Sequence, residues 1–435
     1  ASPMSLSPGR RLLLAIYSAL LWLLLPVTLY HLVWRGLRQR EYLLRWSERY
    51  ALPAALPALP PGAIWVHAVS VGEVNAAIPL VNALRQRYPD RALLVTTITP
   101  TGSARVRALW GEGVHHVYLP YDLHGMVRRF LGHVRPALAV VIETELWPNL
   151  FVACARAGVP IVIANARLSA RSLRGYRWLS PLIRLALSAV RLVAAQSEAD
   201  AARFRVLAGD AARIEVTGNL KFDQPLPAAA REEALAWRHA GGPRPVWVAA
   251  STHPGEEAAV LEAHRRLRER WPEALLLWAP RHPERFGPVA ARVREAGLAL
   301  RRRSLERAPD AGCAVFLIDS LGELPGLLAA ADVAFVGGSL VEVGGHNLLE
   351  PAALGVPVLS GPHTFNFTEI ATMLREAGAL VTVEDAEGLA GAIAALWEDP
   401  AAARRRGQAG RQRIDRERGA LERTLALVDA VLAGR

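Results

Sequence analysis

The chain has 435 residues, of which 52% are hydrophobic, and it carries a formal net charge of +11 at pH 7. This length exceeds one ordinary domain and predicts two domains of about 200 residues, each with a full apolar core. The basic residues are scattered and form no RNA-binding or helix-turn-helix signature, so nucleic acid is the least favoured class of partner. The charge instead favours an anionic membrane surface or acidic substrates.

Cysteine, histidine and acidic patterns argue against a metal site. Cys154 and Cys313 lie far apart in apolar runs, as expected for buried thiols rather than a disulfide. No His/Cys cluster has zinc-ligand spacing, and no HExxH or Asp-x-Asp pattern is present. The sequence therefore predicts chemistry without a metal and without another cofactor.

Residues 12–34 are predicted to form a membrane helix. The stretch contains no Asp, Glu, Lys or Arg, and as a helix it spans about 34 Å, enough to cross a hydrocarbon core. Basic residues are more numerous after this stretch than before it, which predicts a body on the cytoplasmic side. An in-plane, monotopic helix is the alternative to a single pass. Residues 35–50 are expected to continue as a basic helix at the anionic lipid headgroups, with a docking helix as the alternative.

Short apolar strands alternate with helices along most of the chain, which predicts parallel sheets covered on both faces. Seven strands are expected in the first half, near residues 64–69, 93–97, 114–119, 138–142, 161–164, 192–195 and 214–216. Six are expected in the second half, near residues 246–250, 275–278, 315–318, 333–336, 357–359 and 380–383. The fold class is therefore α/β, with two Rossmann-like doubly wound domains and an inter-domain crevice. The predicted boundaries are an N-terminal domain over 35–223, a linker rich in Pro, Ala and Gly over 224–245, a C-terminal domain over 246–403, and C-terminal helices over 404–435 that pack across the domains.

Polar clusters follow several strands, where an α/β fold places its chemistry. Glu73 lies in a glycine-marked loop at a helix start; it is a candidate general base if burial raises its pKa, and otherwise it stabilises the helix dipole. Glu143 and Glu145 follow the fourth strand, two carboxylates within three residues. Lys221 is the single lysine among 51 basic residues, which hints that its position requires a compact ammonium group.

The stretch 333–361, predicted as a strand, a glycine-rich loop, a short helix and a second strand, is the strongest candidate for a nucleotide site. The loop leaves a strand and enters a helix predicted over Asn347–Leu354, so its N–H groups and the helix dipole favour a phosphate. Glu350, one turn into that helix, is placed to accept hydrogen bonds from ribose hydroxyls. A turn that merely needs glycines is the alternative interpretation.

Five segments together give a specific likeness: VSVGE at 69–73, ETELWPN at 143–149, NLKFD at 219–223, APRHPER at 279–285 and GGHNLLEPAALGVPVLSGPH at 344–363. With them the chain resembles the 3-deoxy-D-manno-octulosonic acid (Kdo) transferases, membrane-tethered GT-B glycosyltransferases of lipopolysaccharide synthesis, over essentially its whole length. The resemblance implies transfer of Kdo from CMP-Kdo to a hydroxyl of a lipid A precursor (lipid IVA) at the inner membrane, with inversion and without metal.

The resemblance also implies the site residues. The base falls on Glu73, and the residues that stabilise the transition state fall on Glu143 and Lys221. The CMP contacts fall on the following positions: Arg281, His282, Gly322, Glu323, Leu324, Asn347, Leu348, Leu349 and Glu350. Two alternatives stay open. One is a GT-B enzyme that uses a UDP-sugar, and the other is a membrane-anchored nucleotide-binding scaffold, which would not require Glu73 and Lys221.

Overall fold

The computed structural model describes residues 6–434, and the chain divides into two α/β units. The N-terminal unit comprises Ala1–Gln224 and Arg418–Arg435, and the C-terminal unit comprises Pro225–Glu417. Each unit contains one sheet of seven parallel strands. The predicted α/β class with two Rossmann-like sheets is confirmed.

The sheet of the N-terminal unit has the strand order β3-β2-β1-β4-β5-β6-β7. Its strands are β1 (Ala63–His67), β2 (Leu93–Thr97), β3 (His115–Tyr118), β4 (Pro136–Ile142), β5 (Ile161–Ala166), β6 (Leu192–Ala195) and β7 (Arg213–Val216). Its first nine helices are α1 (Pro8–Arg38), α2 (Trp46–Arg49), α3 (Val71–Arg87), α4 (Pro100–Trp110), α5 (His124–Val134), α6 (Pro148–Arg156), α7 (Ala170–Trp178), α8 (Ser180–Leu187) and α9 (Glu198–Ala208). One apolar cluster covers each face of this sheet, and the interior strand β1 is buried throughout.

The sheet of the C-terminal unit has the order β10-β11-β9-β8-β12-β13-β14. Its strands are β8 (Val246–Thr252), β9 (Leu275–Pro280), β10 (Leu300–Arg302), β11 (Val315–Leu317), β12 (Val333–Val336), β13 (Val358–Ser360) and β14 (Leu380–Thr382). Its helices are α10 (Ala228–Ala240), α11 (Glu257–Arg270), α12 (Phe286–Glu295), α13 (Leu324–Leu327), α14 (Leu349–Ala353), α15 (Thr368–Glu376), α16 (Ala386–Glu398) and α17 (Pro400–Asp415). The last helix, α18 (Ala420–Leu432), belongs to the N-terminal unit.

Both sheets reverse their strand order once, between β1 and β4 in the first and between β8 and β12 in the second. In an open parallel sheet, ligands bind beyond the carboxyl ends of the strands at such a switch point, because the flanking loops turn away from each other there. We therefore expect the catalytic and ligand-binding residues in the loops that follow these four strands.

Two segments differ from the sequence prediction in local structure. Residues 224–245, expected to be a linker, contain the thirteen-residue helix α10, whose Ala230 and Ala234 are buried. The small alanine side chains allow α10 to pack closely against α13. A Cβ added to Gly326 of α13 would lie only 2.5 Å from the Ala230 Cβ. The edge strand β10 was missed because its sequence, LRR, has no apolar run.

The predicted basic helix over 35–50 is broken. α1 ends at Arg38, a 3₁₀ turn follows over Arg40–Tyr42, and Arg45 has a φ of +58° before α2 begins. Leu43 folds back against Gly36, where an added Cβ would lie 2.2 Å from its side chain. The chain therefore reverses direction immediately after the apolar helix.

Within the part of the chain that the structure describes, α1 is the one helix long and apolar enough to cross a membrane. Many of its large apolar side chains are exposed, among them Leu12, Ile16, Leu20, Trp22, Leu23, Val27, Tyr30 and Trp34. A narrower face packs on the N-terminal unit, where Leu14 contacts Val152 and Leu185.

Candidate active site

Three carboxylates lie at the switch point of the N-terminal sheet. Glu73 lies in the first turn of α3, shortly after β1, and Glu143 and Glu145 follow β4. Both later carboxylates act electrostatically on Glu73. The structure thus brings the predicted base Glu73 together with the predicted Glu143, and it adds Glu145 to the same cluster.

Burial governs the protonation of this carboxylate cluster. Burial raises the pKa of Glu73 to about 7, and the negative charges of Glu143 and Glu145 contribute to this increase. The Val69 backbone N–H donates a hydrogen bond to Glu73 Oε2 at 2.7 Å, which lowers the pKa and so opposes the increase. Burial also raises the pKa of Glu145 to about 7. The pKa of Glu143 is raised by burial as well, although Arg167 opposes the shift. A carboxyl group whose pKa lies near 7 suits a general base at neutral pH.

The backbone is strained where these side chains originate. Glu143 has a φ of +61° and its N–H donates to the Ala164 carbonyl of β5 at 3.0 Å, while Asn165 near the end of β5 has a φ of +52°. Non-glycine residues adopt this left-handed conformation rarely, and each costs on the order of 1–3 kcal/mol unless the surroundings impose it. Such strain at the ends of neighbouring strands is typical of functional sites.

A polar network holds the turn that carries Lys221. The Asn165 carbonyl accepts a hydrogen bond from Gln196 Nε2 at 2.9 Å, and Gln196 Oε1 accepts one from Asn219 Nδ2 at 2.9 Å. Asn219 Oδ1 then accepts one from the Lys221 backbone N–H at 3.0 Å. The chain of amides joins the loops after β5, β6 and β7, so Lys221 is fixed at the same edge of the sheet as the three carboxylates.

Helix α1 is bonded to the loop that follows β4. Tyr17 Oη donates to Asp122 Oδ2 at 2.9 Å, and Asn149 Nδ2 donates to Ser18 Oγ at 3.0 Å. The Asp122 carboxylate also accepts the N–H groups of Asn149 and Leu150 at 3.0 and 2.7 Å, which caps the N-terminus of α6. The ETELWPN segment is thus tied to the apolar helix through its final asparagine.

In the C-terminal unit, a buried carboxylate joins the loops at the switch point. Glu256 Oε2 accepts the backbone N–H groups of His253 and Gly338 at 2.9 and 2.7 Å. Its Oε1 accepts those of Ser339 and Leu340 at 3.0 and 2.9 Å. Four N–H donors satisfy the carboxylate fully, so Glu256 sets the conformation of the glycine-rich loop after β12.

Glycine is needed in this loop for close approach and for backbone freedom. A Cβ on Gly337 would lie 2.6 Å from the Ser251 carbonyl oxygen and 2.9 Å from Glu256 Oε2. Gly344 and Gly345 have φ values of +102° and +82°, which favour glycine strongly. The conformation of the predicted glycine loop therefore requires its glycines, and the Glu256 carboxylate of the same unit holds the loop in place.

Three histidines and Arg281 gather where β8, β9 and β12 end. The rings of His253 and His346 are stacked with centroids 5.0 Å apart and Nε2 atoms 2.8 Å apart, and His282 meets His253 edge-on at 5.2 Å. Burial lowers the pKa of His346 to about 4, and His253, Arg281 and His282 lower it further. Burial lowers the pKa of His253 too, although Glu256 opposes it. Burial thus disfavours the charged form of His253 and His346, and the Arg281 guanidinium beside them suits an anionic group.

The predicted helix over Asn347–Leu354 is shorter in the structure. Asn347 Oδ1 accepts the Leu349 N–H at 3.0 Å and Asn347 Nδ2 donates to Glu350 Oε1 at 3.1 Å, so the helix begins only at Leu349. Leu348 is buried. Burial raises the pKa of Glu350, which the hydrogen bond from Asn347 opposes. The pair of side chains forms a polar unit, but five helical residues provide only a small dipole.

The predicted contact Glu323 is engaged inside its own unit. Its carboxylate accepts hydrogen bonds from Arg303 Nη2 at 2.8 Å and Nε at 3.1 Å, and Ser320 Oγ donates to it as well. The Arg303 hydrogen bond is the main reason that the pKa of Glu323 is lowered. Gly322 has a φ of +83°, and Leu324 opens α13. Any contact of this segment with a nucleotide therefore falls on its backbone or on Leu324 rather than on the Glu323 carboxylate.

Four of these residues received no specific role from the sequence: Glu145, His253, Glu256 and His346. Glu145 and His253 stand in predicted polar clusters at strand ends and His346 in the glycine-rich segment, whereas Glu256 was missed altogether. The doubled carboxylate in Glu143-Thr144-Glu145 was a usable signal for Glu145. Glu256 gave none, because a glutamate at a helix start is the ordinary choice beside the helix dipole. Between residues 6 and 434, no group of three or more His, Cys, Asp or Glu side chains is arranged to hold a metal ion.

Comparison with known proteins identifies the family. The family model described as 3-Deoxy-D-manno-octulosonic-acid transferase (kdotransferase) matches residues 44–224, and the model described as Glycosyl transferases group 1 matches residues 299–413. The 3-deoxy-D-manno-octulosonic acid transferase of Haemophilus influenzae is 42% identical over 421 residues, covering 96% of this chain and 98% of that protein. The enzyme of the same name from Bordetella pertussis is 42% identical over 381 residues, covering 86% and 88%.

Solved structures support the fold class. UDP-GlcNAc 2-epimerase from Neisseria meningitidis, bound to UDP-GlcNAc, covers 85% of this chain and 100% of its own with a TM-score of 0.54 and 14% identity. At that identity the likeness concerns the fold alone, which is of the GT-B type. The family models and the curated relatives, by contrast, show that the chain is a glycosyltransferase of the 3-deoxy-D-manno-octulosonic acid (Kdo) transferase family.

Proposed function

We propose that this enzyme transfers Kdo from CMP-Kdo to a hydroxyl of a lipid A precursor such as lipid IVA, with inversion at the anomeric carbon and without a metal ion. The observation that carries the proposal is the carboxylate cluster at the first switch point, in which burial raises the pKa of Glu73 to about 7. A nucleotide-binding scaffold has no use for such a group, whereas attack by an alcohol requires a base with this property.

In the proposed reaction, the acceptor oxygen forms a bond to the anomeric carbon while the bond from that carbon to the CMP phosphate oxygen breaks. The proton of the acceptor hydroxyl passes to the Glu73 carboxylate, and the electron pair of the broken bond leaves with CMP. Attack from the face opposite the leaving group inverts the centre. Glu143 and Lys221 stabilise the charges that develop, the carboxylate on the oxocarbenium-like sugar and the ammonium on anionic oxygen.

The C-terminal unit is proposed to bind the CMP part of the donor. Arg281 and His282 supply a cation and hydrogen-bond donors for the phosphate, and Asn347 and Glu350 meet the ribose hydroxyls. The backbone of 322–324 and Leu348–Leu349 complete the binding site. CMP is a monophosphate, so its charge can be met by Lys221, Arg281 and backbone amides without the divalent ion that a diphosphate usually needs.

The enzyme is proposed to work at the cytoplasmic face of the inner membrane, held there by α1 and by anionic lipid headgroups. The hydrogen bonds of Tyr17 and Ser18 with Asp122 and Asn149 support the monotopic alternative, because both residues lie inside the apolar stretch, in its first third. A helix bound along this unit presents its other face to lipid. The tether confines the search for an amphiphilic acceptor to the membrane plane.

One assay tests donor, acceptor and product number together. The purified enzyme in detergent is incubated with CMP-Kdo and tetraacylated lipid A precursor, and the products are read by mass spectrometry, with parallel reactions in EDTA and with UDP-GlcNAc as donor. We expect a mass increase of one or more Kdo units with CMP-Kdo, unaffected by EDTA. Transfer from UDP-GlcNAc alone, or strict dependence on added Mg²⁺, would contradict the proposal.

Lys221→Arg is expected to lower kcat by about tenfold or more, about 1.4 kcal/mol of transition-state stabilisation. The turn around Lys221 is fixed by Asn219 and Gln196, so the longer, planar guanidinium has no freedom to reposition. Initial rates with saturating CMP-Kdo measure the effect. Arg213→Lys, at an exposed ion pair with Glu215 on β7, is the matched control and should stay within about twofold. Wild-type activity in Lys221→Arg would remove Lys221 from the mechanism.

A further inference from the structure

A buried arginine lies just after the apolar helix without a carboxylate partner. Arg49, the last residue of α2, is 5% exposed. Its Nε and Nη2 atoms are buried and have no hydrogen-bond acceptor within residues 6–434. A buried, unpaired guanidinium is costly, and proteins normally compensate it with an anion or with several acceptors.

The residues around Arg49 compensate it only in part. The guanidinium lies 4.1 Å from the Tyr118 ring centroid and 5.9 Å from that of Tyr42, both cation–π contacts. The neighbouring carboxylate, Glu48, is engaged elsewhere: Oε1 pairs with Arg45 Nε at 2.7 Å and Oε2 accepts the Tyr118 N–H at 2.8 Å. Burial lowers the pKa of Arg49, and the effects of Tyr121, Tyr118, Tyr42 and Glu48 oppose this.

A second buried polar atom, the Tyr50 hydroxyl oxygen, lies in the same region. Tyr50 Oη is buried, and its ring meets that of Tyr121 edge-on with centroids 5.2 Å apart, close enough for the Tyr50 side chain to raise the pKa of Tyr121. Tyr121 interacts electrostatically with both Arg49 and Arg35. Arg49 and Arg35 thus act on the same tyrosine pair, and no ion pair joins either guanidinium to a carboxylate among residues 6–434.

The surface formed by the residues that precede Arg49 has the composition of a membrane interface. The turn Arg40–Tyr42 contains no buried residue, and Arg35 Nη1 donates to Tyr42 Oη at 3.2 Å. Exposed apolar side chains surround it, namely Leu37, Leu43, Leu44 and Trp46. Basic and aromatic groups within an apolar rim, directly after an apolar helix, suit a lipid headgroup better than a soluble anion.

We propose that Arg49, with Arg35 and the Tyr42 and Tyr50 hydroxyls, binds the phosphate of an anionic membrane lipid that enters beside Tyr42. The planar guanidinium of Arg49 donates two parallel hydrogen bonds to phosphate oxygens, and the tyrosine hydroxyls supply further donors. This inference rests on the proposed membrane association. It adds specific binding of one lipid headgroup to the general electrostatic attraction between the basic protein and an anionic membrane surface. It also lies in the segment that reverses the chain between α1 and β1.

The test uses the full chain in a neutral detergent and follows thermal unfolding. Short-chain phosphatidylglycerol, kept below its micelle concentration, is compared with short-chain phosphatidylcholine and with inorganic phosphate at equal concentration. Phosphatidylglycerol should raise the Tm of the wild type, because a ligand that binds the folded state stabilises it by mass action. Phosphatidylcholine should leave the Tm unchanged, and inorganic phosphate should produce less than half of the shift. A full shift with inorganic phosphate would contradict the assignment to a lipid.

Three variants distinguish specific lipid binding by Arg49 from a general effect of net charge and from a purely structural role of Arg49. Arg49→Lys keeps the net charge and Arg49→Met removes it; both should lose the phosphatidylglycerol shift, whereas Arg38→Gln beside the site should keep it. Without lipid, Arg49→Met should unfold at the wild-type temperature or above it, because an unpaired buried charge has been removed. A shift that persists in Arg49→Met, or a Tm several degrees below wild type without lipid, would overturn the proposal in favour of a structural cation–π role.

Vesicle sedimentation keeps this proposal distinct from the proposed membrane association. Neutral phosphatidylcholine vesicles should bind the wild type and all three variants alike through α1. Vesicles with a quarter of phosphatidylglycerol should bind the wild type at least about fivefold more tightly than Arg49→Lys, a gain of about 1 kcal/mol. Equal binding of these two forms overturns the Arg49 site alone. Failure of every form to bind neutral vesicles overturns the proposed anchoring by α1.

Discussion

Glu73→Gln is expected to lower the rate of Kdo transfer at pH 7.5 by at least about a hundredfold. Glutamine has nearly the same shape and still accepts the Val69 N–H at its amide oxygen, but it cannot take a proton from the acceptor hydroxyl. CMP affinity, measured by calorimetry, should stay within about twofold, because the proposed CMP contacts lie in the C-terminal unit. Product formation followed by mass spectrometry gives the rate. Activity above about a tenth of wild type would exclude Glu73 as the base.

The pH profile gives an independent check of the same assignment. Only the ionised carboxylate accepts a proton, so with a pKa of about 7 activity should rise with pH through neutrality and fall about tenfold between pH 7 and pH 5.8. Glu145→Gln is the matched control, since it removes a negative charge that raises the pKa of Glu73. That variant should remain active, with its acidic limb displaced to lower pH. An unchanged acidic limb would show that the limb belongs to another group.

The strands were predictable because a parallel sheet buried on both faces needs continuous apolar runs. β2, β6 and β12 begin and end where the alternation of apolar runs and helices predicts, and most other strands differ by one to three residues. β10 escaped because an edge strand tolerates polar residues. α10 escaped because alanine, read as a mark of a flexible linker, here allows close helix packing against Gly326.

The site was predictable only as a set of loops. The sequence places Glu73, Glu143 and Lys221 after separate strands, but the meeting of β1 and β4 depends on strand order, which local patterns do not encode. The strand order explains why Glu145 acts on Glu73. The break after Arg38 was likewise beyond prediction, since it depends on Leu43 folding back onto Gly36.

Glu73 and Glu256 occupy equivalent positions at the switch points of the two sheets, but their hydrogen bonds suit them to different roles. Each glutamate follows the first strand of its sheet's switch point and lies at the start of a helix. Glu73 accepts one backbone N–H, from Val69, and is left able to take a proton. Glu256 accepts four N–H groups, which use its lone pairs and bind it to the glycine loop. The number of donors therefore distinguishes a candidate base from a structural acceptor.

Glu256→Gln is expected to loosen the glycine loop and weaken CMP binding at least about tenfold, although Glu256 is not among the proposed CMP contacts. The amide oxygen of glutamine can replace one carboxylate oxygen as an acceptor. The amide NH₂ group takes the place of the other oxygen and, as a donor, cannot accept the two backbone N–H groups there. Leaving two buried N–H groups without acceptors costs about 2–4 kcal/mol. Hydrogen exchange at Gly338, Ser339 and Leu340 should accelerate by about 30-fold or more, and calorimetry should report the loss of CMP affinity.

Glu262→Gln on the exposed face of α11 is the matched control for this effect. Glu262 pairs with Arg266 at the surface, so its replacement should change neither loop exchange nor CMP affinity by more than about twofold. Exchange at Gly338–Leu340 that stays at the wild-type rate in Glu256→Gln would show that the glycine loop keeps its conformation without the carboxylate. Faster exchange with unchanged CMP affinity would instead show that the glycine loop does not contribute to CMP binding. The donor site would then have to lie elsewhere than at the second switch point.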